Sequence, residues 1–165
     1  MNYDTLERAV RVAMINTVGA RLKDYNKYII TSNPQEIDTT AVEITFDRKI
    51  LPLCFFDSKD VSLNVSIMDG IGLGGIELRL GSKCHDTEAA SEKASCLLED
   101  TSNGWHVSED FDELLGLYLT RDFCFDSDDD FDIVSKLTVC FDDLCDTSMI
   151  GKLCTFVHYF EDYEN

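Results

Sequence analysis

The sequence VSLNVSIMDGIGLGGIELRL, residues 61–80, decides the fold class because apolar residues recur in it at every second position. Two runs alternate in this way: Val61, Leu63, Val65 and Ile67, then Ile76, Leu78 and Leu80. Period two places neighbouring side chains on opposite faces of a β-strand, so each run predicts a strand with one buried face. The glycine-rich stretch 70–75 predicts the hairpin connection, with Ile71 and Leu73 exposed at its tip. A strand pattern follows this stretch instead of a helix, which disfavours a phosphate-binding loop.

The residues before this stretch extend the pattern to four strands. Runs 41–46 and 50–56 flank residues 47–49 and predict another hairpin. Pro52 in the second of these runs indicates an edge strand or a β-bulge, because proline cannot donate a ladder hydrogen bond. An antiparallel meander is the simplest arrangement of four strands that each bury a single face.

Helical spacing predicts an amphipathic helix over residues 4–24, with Asp4 as its N-cap. Its apolar side is formed by Leu6, Ala9, Val10, Ala13 and Met14. We expect this side to pack across one face of the sheet. The polar segment that follows predicts a loop, since the residue before Pro34 is pushed out of the α region.

The C-terminal half predicts mainly helices. Residues 86–100 are typical of a short surface helix, and a second helix is predicted to begin at Ser108. The apolar stripe of that second helix consists of Phe111, Leu114, Leu115 and Tyr118. A third stripe runs from Met149 to Phe160. Between them, residues 133–144 fit a helix, while residues 137–141 with Phe123 and Phe125 fit a second hairpin, and periodicity leaves both open.

The predicted fold is therefore α+β: an N-terminal helix packed on an antiparallel four-stranded meander, followed by an acidic, mainly helical C-terminal half. Residues 1–82 would form a near-neutral helix and sheet, and residues 83–165 an acidic helical region. Because a chain of 165 residues with 44% hydrophobic side chains is the size of one domain with one core, we interpret both as parts of a single domain.

Composition predicts a soluble cytoplasmic protein. The N-terminus lacks the basic flank and apolar run of a secretion signal, and no stretch is long enough to span a bilayer, so no membrane partner is expected. The seven cysteines are an odd number in scattered apolar contexts, which predicts reduced, buried thiols. The apolar meander would leave a free edge, so a homodimer stays an open alternative.

Negative charge is concentrated in the second half of the chain. The net charge is −18, of which −16 falls in residues 83–165. The densest run, 122–146, contains nine aspartates and a single basic residue, Lys136. Phenylalanines punctuate this run, whereas a disordered acidic tail would contain few aromatic residues. We therefore expect an ordered acidic face, on which buried phenylalanines fix the carboxylates.

This face is the predicted partner-binding site. Its residues are Asp122, Asp126, Asp128, Asp129, Asp130, Asp132, Asp142, Asp143 and Asp146, together with Glu109, Asp110, Asp112 and Glu113. Such a face attracts a basic surface and repels phosphate, so the expected partner is a nucleic-acid-binding protein and not the nucleic acid itself. The alternative is a solvated surface that serves solubility only.

The leading hypothesis is a stoichiometric inhibitor that mimics nucleic acid and blocks a DNA- or RNA-binding enzyme. Virus-encoded anti-restriction and anti-CRISPR proteins use this strategy, and the analogy rests on charge and size alone; such a protein would act in the host cytoplasm. The alternative function is an acidic chaperone or immunity-type protein that binds a basic effector or toxin. No nucleophile and base stand in a recognisable frame, so we expect no enzymatic activity and no cofactor.

Metal binding is also disfavoured by the residues. Asp126, Asp128 and Asp130 alternate as at the start of an EF-hand loop, but Phe131 replaces the required glycine and Leu137 the closing glutamate. The cysteines and histidines lack the close cysteine pair of structural zinc sites. Trp105, beside His106 after a turn, is interpreted as a core or edge anchor.

Overall fold

The computed structural model describes residues 1–17, 28–32, 38–47, 60–81, 87–99, 103–110 and 116–161. These residues contain four helices and six strands. In chain order they are α1 (Tyr3–Asn16), β1 (Tyr28–Ser32), β2 (Thr40–Asp47), β3 (Asp60–Met68), β4 (Leu73–Gly81), α2 (Thr87–Leu98), β5 (Trp105–Asp110), β6 (Gly116–Cys124), α3 (Asp130–Leu144) and α4 (Thr147–Glu161). A 3₁₀ turn, Asp69–Ile71, joins β3 to β4.

The strands form one antiparallel sheet in the order β1-β2-β3-β4-β6-β5. The predicted four-stranded meander with a mainly helical C-terminal half is therefore wrong. The sheet has six strands, and two of them, β5 and β6, come from that half. Because β6 pairs with β4, the sheet continues across the division at residue 82, and one hydrophobic core contains residues from Leu6 to Phe156.

The β3–β4 hairpin is confirmed, with Val65 opposite Ile76 and Leu63 opposite Leu78. The hairpin predicted between 41–46 and 50–56 is wrong, because β2 already pairs with β1 along one edge and with β3 along the other. The sequence pattern identified β2 and β3 as strands but not their pairing with each other, nor strand β1. Residues 50–56 themselves lie outside the described residues.

The helix predicted from Ser108 is also wrong. Residues 105–110 and 116–124 are strands, although residues 111–115, which hold most of the predicted apolar stripe, lie outside the described residues. In β6 the period is two: Leu117 and Leu119 lie on the helix-covered face, and Tyr118 and Thr120 on the other. Over so short a stretch, helical and strand spacings share several apolar positions, so pairing with β4 decides between them. Strand β1 was missed for a different reason, because the polar segment around Pro34 was interpreted as a loop.

The helices follow their apolar spacing more closely. Helix α1 begins one residue earlier than predicted, because Asn2 and not Asp4 is the N-cap: its side-chain oxygen accepts from the Thr5 N–H at 3.0 Å. Helix α3 confirms the helical alternative for residues 133–144 and excludes the hairpin over 137–141. The helices predicted over 86–100 and toward the C-terminus are confirmed as α2 and α4. Of the predicted helix 4–24, residues beyond 17 lie outside the described part of the chain.

The described helices cover one face of the sheet. Pairing aligns a row on that face whose members come from five strands: Val42, Val65, Ile76, Arg121 and Trp105. All but Arg121 are buried, and they join the apolar residues of the four helices in the single core. The opposite face carries polar side chains, among them Glu43, Asn64, Glu77, Thr120 and His106 in one register row.

The predicted reduced state of the cysteines agrees with the five that the structure describes, since none of these five forms a disulfide bond. Burial is confirmed for Cys140 and Cys145 but wrong for Cys96 and Cys124, which are exposed. The other two cysteines lie outside the described residues.

Candidate acidic binding surface

Residues 126–132, which we call the acidic turn, connect β6 to α3 and contain five aspartates. Three of their carboxylates accept backbone hydrogen bonds within the turn. Asp126 accepts from the Asp128 N–H at 3.0 Å, Asp129 from the Phe131 N–H at 2.9 Å, and Asp132 from the Asp126 N–H at 2.8 Å. Such bonds hold a polar loop in one conformation, so the acidic turn is ordered by its own carboxylates.

These bonds also begin helix α3. Asp129 is the N-cap, and Asp130 and Asp132 lie in the first turn, where the helix dipole favours negative charge. The side chains of Asp126, Asp129 and Asp132 are therefore part of the local hydrogen bonding. In contrast, among the described residues the side chains of Asp128 and Asp130 accept no hydrogen bond, and both side chains are exposed.

The phenylalanines of the acidic run divide into two groups. Phe125 and Phe141 are buried, and the ring of the half-buried Phe123 lies 6.4 Å from that of Phe125, so the prediction of anchoring is confirmed for these three. It is wrong for Phe131, which is 83% exposed. This aromatic ring lies between Asp130 and Asp132 in the acidic turn and is exposed to solvent.

The tip of the β3–β4 hairpin lies beside the acidic turn. The Phe125 N–H donates to the Gly72 carbonyl at 2.9 Å, and the next residue, Asp126, begins the turn. Ile71 at this tip is 66% exposed, and Leu73 is also exposed, as predicted for both. Exposed apolar side chains and fixed carboxylates thus share one end of the sheet.

Asp142, Asp143 and Asp146 do not join the acidic turn. They lie at the other end of α3, about 20 Å away at 1.5 Å rise per residue. Asp146 and Asp142 are exposed, and Asp146 accepts from the Ser148 N–H at 2.9 Å, at the start of α4. The single predicted face is therefore two groups of carboxylates separated by the length of a helix.

Asp143 faces inward and has a structural role. It forms an ion pair with Arg121, and the Trp105 indole N–H donates to it at 3.3 Å. The Arg121 guanidinium lies 5.8 Å from the Trp105 ring centroid, within cation–π range. Since the side chains of Arg121 and Asp143 are only 19% and 28% exposed, this pair holds α3 against β6 instead of presenting charge to a partner.

The remaining predicted residues are dispersed or undescribed. Glu109 is exposed on β5 opposite Leu117, about 24 Å along β6 from the acidic turn. Asp110 ends the same strand, and nothing is described of its side chain. Asp112 and Glu113 lie outside the described residues. Asp122, which is exposed near the end of β6, is the member that lies nearest in sequence to the acidic turn.

The buried thiol of Cys140 interacts with the Arg121–Asp143 pair. Its ionisation should lower the free energy of unfolding at alkaline pH. Burial raises the pKa of its thiol from 9.0 to about 11, while Arg121 lowers it and Asp143 raises it further. The unfolded chain then ionises this thiol first, so the stabilisation is complete below about pH 9 and is lost as the pH rises towards 11.

We therefore expect the free energy of unfolding to fall more steeply between pH 9 and 11 in the wild type than in a Cys140→Ala variant. Urea unfolding of both proteins at several pH values measures the two slopes. The other ionisable groups are shared by the two proteins, so equal slopes would contradict the assignment.

No helix in the described part of the chain is long and apolar enough to cross a membrane. Within the same residues, no group of three or more His, Cys, Asp or Glu side chains is arranged to hold a metal ion. A scan of protein-family models found no match to this chain, and searches of curated proteins and of solved structures found none either.

Proposed function

We propose that this chain is a stoichiometric inhibitor that binds the basic surface of a nucleic-acid-binding enzyme by presenting carboxylates where phosphates would lie. The observation that carries the proposal is the acidic turn, a seven-residue segment with five aspartates that is ordered by hydrogen bonds to three of their carboxylates. A protein that binds B-form DNA meets about one negative charge per 1.7 Å of duplex axis with Lys and Arg side chains. The same side chains would attract the acidic turn.

Order in the acidic turn favours binding over mere solubility. A carboxylate on a mobile chain loses conformational freedom when it pairs with a cation, whereas one on a rigid turn has already lost much of it. The opposite charges of the two partners also speed their encounter by about ten- to a thousand-fold in favourable cases. That speed suits an inhibitor that must reach its target before the nucleic acid does.

Asp128 and Asp130 are the clearest candidates for contact with the partner. Asp126, Asp129 and Asp132 also hold the turn together, so their charge has a reason within the fold. Asp128 has no such described role, and its repulsion of neighbouring aspartates opposes folding. A benefit in binding would account for that repulsion.

The test compares two charge-matched variants. Asp128→Asn/Asp130→Asn should weaken binding by about tenfold or more, because close charge pairs across an interface contribute at least about 1.5 kcal/mol. Asp38→Asn/Glu92→Gln removes the same net charge at two exposed positions outside the acidic turn and should bind as the wild type does. Partners are captured from host lysate treated with nuclease, and each purified partner is titrated by calorimetry at increasing salt.

Competition decides the mechanism. Duplex DNA or RNA added to the purified complex should displace the chain, and affinity should fall with salt because exposed charges are screened over about 8 Å at physiological ionic strength. If both charge variants lost the same affinity for the partner, binding would depend on the net charge of the chain and not on the acidic turn. Unchanged binding in both would contradict the proposal.

The second candidate is a chaperone or immunity-type protein that holds a basic effector. Exposed Ile71 and Phe131 favour it, because contacts with a protein client use apolar anchors surrounded by polar groups. In that case nucleic acid would not compete for the captured partner. Either protein would act in the cytoplasm, which is the host cytoplasm if a virus encodes the chain.

A further inference from the structure

We propose that Phe131 and the carboxylates beside it form a binding site for an arginine side chain of the protein partner. The inference rests on the proposed function and names the group that the acidic turn would recognise. Its starting observation is that Phe131, at 83%, is the most exposed of the large hydrophobic residues in the described part of the chain.

The exposure of Phe131 has no explanation within helix α3. With Asp129 as the N-cap, Phe131 is the second helical residue, whereas the apolar contact that can staple a helix start joins the residue before the N-cap to the fourth helical residue. That fourth residue, Ile133, is buried, and the residue before the cap is Asp128. Phe131 therefore contributes to neither the core nor the helix start.

The local structure holds the backbone below the ring in place. The Phe131 N–H is bound by Asp129, and the following residue, Asp132, is bound back to Asp126. An aromatic side chain has only two rotatable bonds, so a ring on a fixed backbone loses little freedom on binding. Phe131 is thus a preorganised apolar contact on the surface.

The charges around the ring select the occupant. Asp128, Asp129, Asp130 and Asp132 surround Phe131 in sequence, and the nearest basic residue along the chain is Lys136. An apolar partner group would have to dock among these four carboxylates, whereas a cation would attract them and also lie against the negative face of the ring.

Arginine fits this combination better than lysine. A guanidinium is planar and weakly hydrated, so it can stack on an aromatic ring while its N–H fork binds a carboxylate through two hydrogen bonds. The lysine ammonium is a strongly hydrated point charge that gains less from the ring. A surface of carboxylates alone would discriminate less between arginine and lysine. A preference for arginine that depends on the Phe131 ring therefore identifies this site.

The experiment titrates the full chain with two peptides of equal charge and length, one of alternating Arg and Gly and the other of alternating Lys and Gly. At low ionic strength we expect the arginine peptide to bind about two- to fivefold more tightly, which corresponds to the free energy of an exposed cation–π contact. Phe131→Leu should reduce this preference to that of the carboxylates alone, and Phe131→Trp should keep or raise it, since indole is the best ring for such contacts. Ile71→Ala, at the other highly exposed apolar residue, should leave it unchanged.

The outcomes separate this inference from the proposed function. A preference that is absent in the wild type, or that is undiminished in Phe131→Leu, would overturn the arginine site. In that case, weaker binding of both peptides to the Asp128→Asn/Asp130→Asn variant would still show that the acidic turn binds cations, although it has no specific arginine site. If those substitutions changed neither affinity, the role of the acidic turn in the proposed function would fail as well. Thermal melts of all variants check that each is folded.

Discussion

Replacing Trp105 with alanine should lower the free energy of unfolding by about 3–5 kcal/mol, the range for removal of a large aromatic side chain from a core. Trp105 is 1% exposed and lies in the buried row that crosses β2, β3, β4, β6 and β5. Its removal would leave a cavity between β5 and the helices. It would also remove the hydrogen bond to Asp143 and the ring beside Arg121.

Urea unfolding followed by circular dichroism measures this loss. His106→Ala is the matched control, because the adjacent side chain is exposed on the other face of the sheet; a change within about 0.5 kcal/mol is expected there. A loss below about 1 kcal/mol for Trp105→Ala would contradict its assignment as a core anchor.

Gly72→Ala should destabilise the protein by at least about 2 kcal/mol, because two separate costs add at this position. Gly72 has a φ of +62°, a left-handed conformation that side chains disfavour. A Cβ there would also lie 2.5 Å from the Phe125 carbonyl oxygen, a backbone atom that can move only with its strand. The displacement would strain the Phe125–Gly72 hydrogen bond that holds the acidic turn beside the hairpin.

Gly70→Ala provides the control within the same turn. A Cβ at Gly70 meets nothing within 4 Å, so we expect stability to change by no more than about 0.5 kcal/mol. Thermal and urea unfolding of both variants give the comparison. If the two variants were equally stable, the turn would have to relax around the added methyl group. The close approach of a Cβ at Gly72 to the Phe125 carbonyl oxygen would then carry no cost.

The candidate site was predicted in part. The sequence identified an acidic run over residues 122–146 from its charge density and its phenylalanines, and the structure places the carboxylates of residues 126–132 in one turn. Two features of the site were missed: the exposure of Phe131 and the inward position of Asp143. Phe131 was expected to be buried because most phenylalanines are, and no local pattern distinguishes it from Phe125; only the position of helix α3 leaves its ring outside.

Asp143 shows why charge patterning alone misplaced part of the surface. Next to Asp142 in the sequence, it was grouped with the exposed carboxylates, yet it pairs with Arg121 on the helix-covered face of β6. A basic residue at a core-facing position of a strand indicates a buried partner, but that signal is readable only once residues 116–124 are known to be a strand. The mistaken helix from Ser108 concealed it.

The sequence by itself determined the β3–β4 hairpin and helices α1, α2 and α4, because each depends on apolar spacing within a short stretch. Helix α3 was one of two alternatives that periodicity left open, and the structure decided for it. Only the tertiary structure decided that β5 and β6 extend the sheet, that Asp143 turns inward and that the aspartates of α3 lie at opposite ends of the helix. The reason is physical. Local periodicity specifies which side of an element is buried, whereas strand pairing and ion pairs depend on residues brought together from distant parts of the chain.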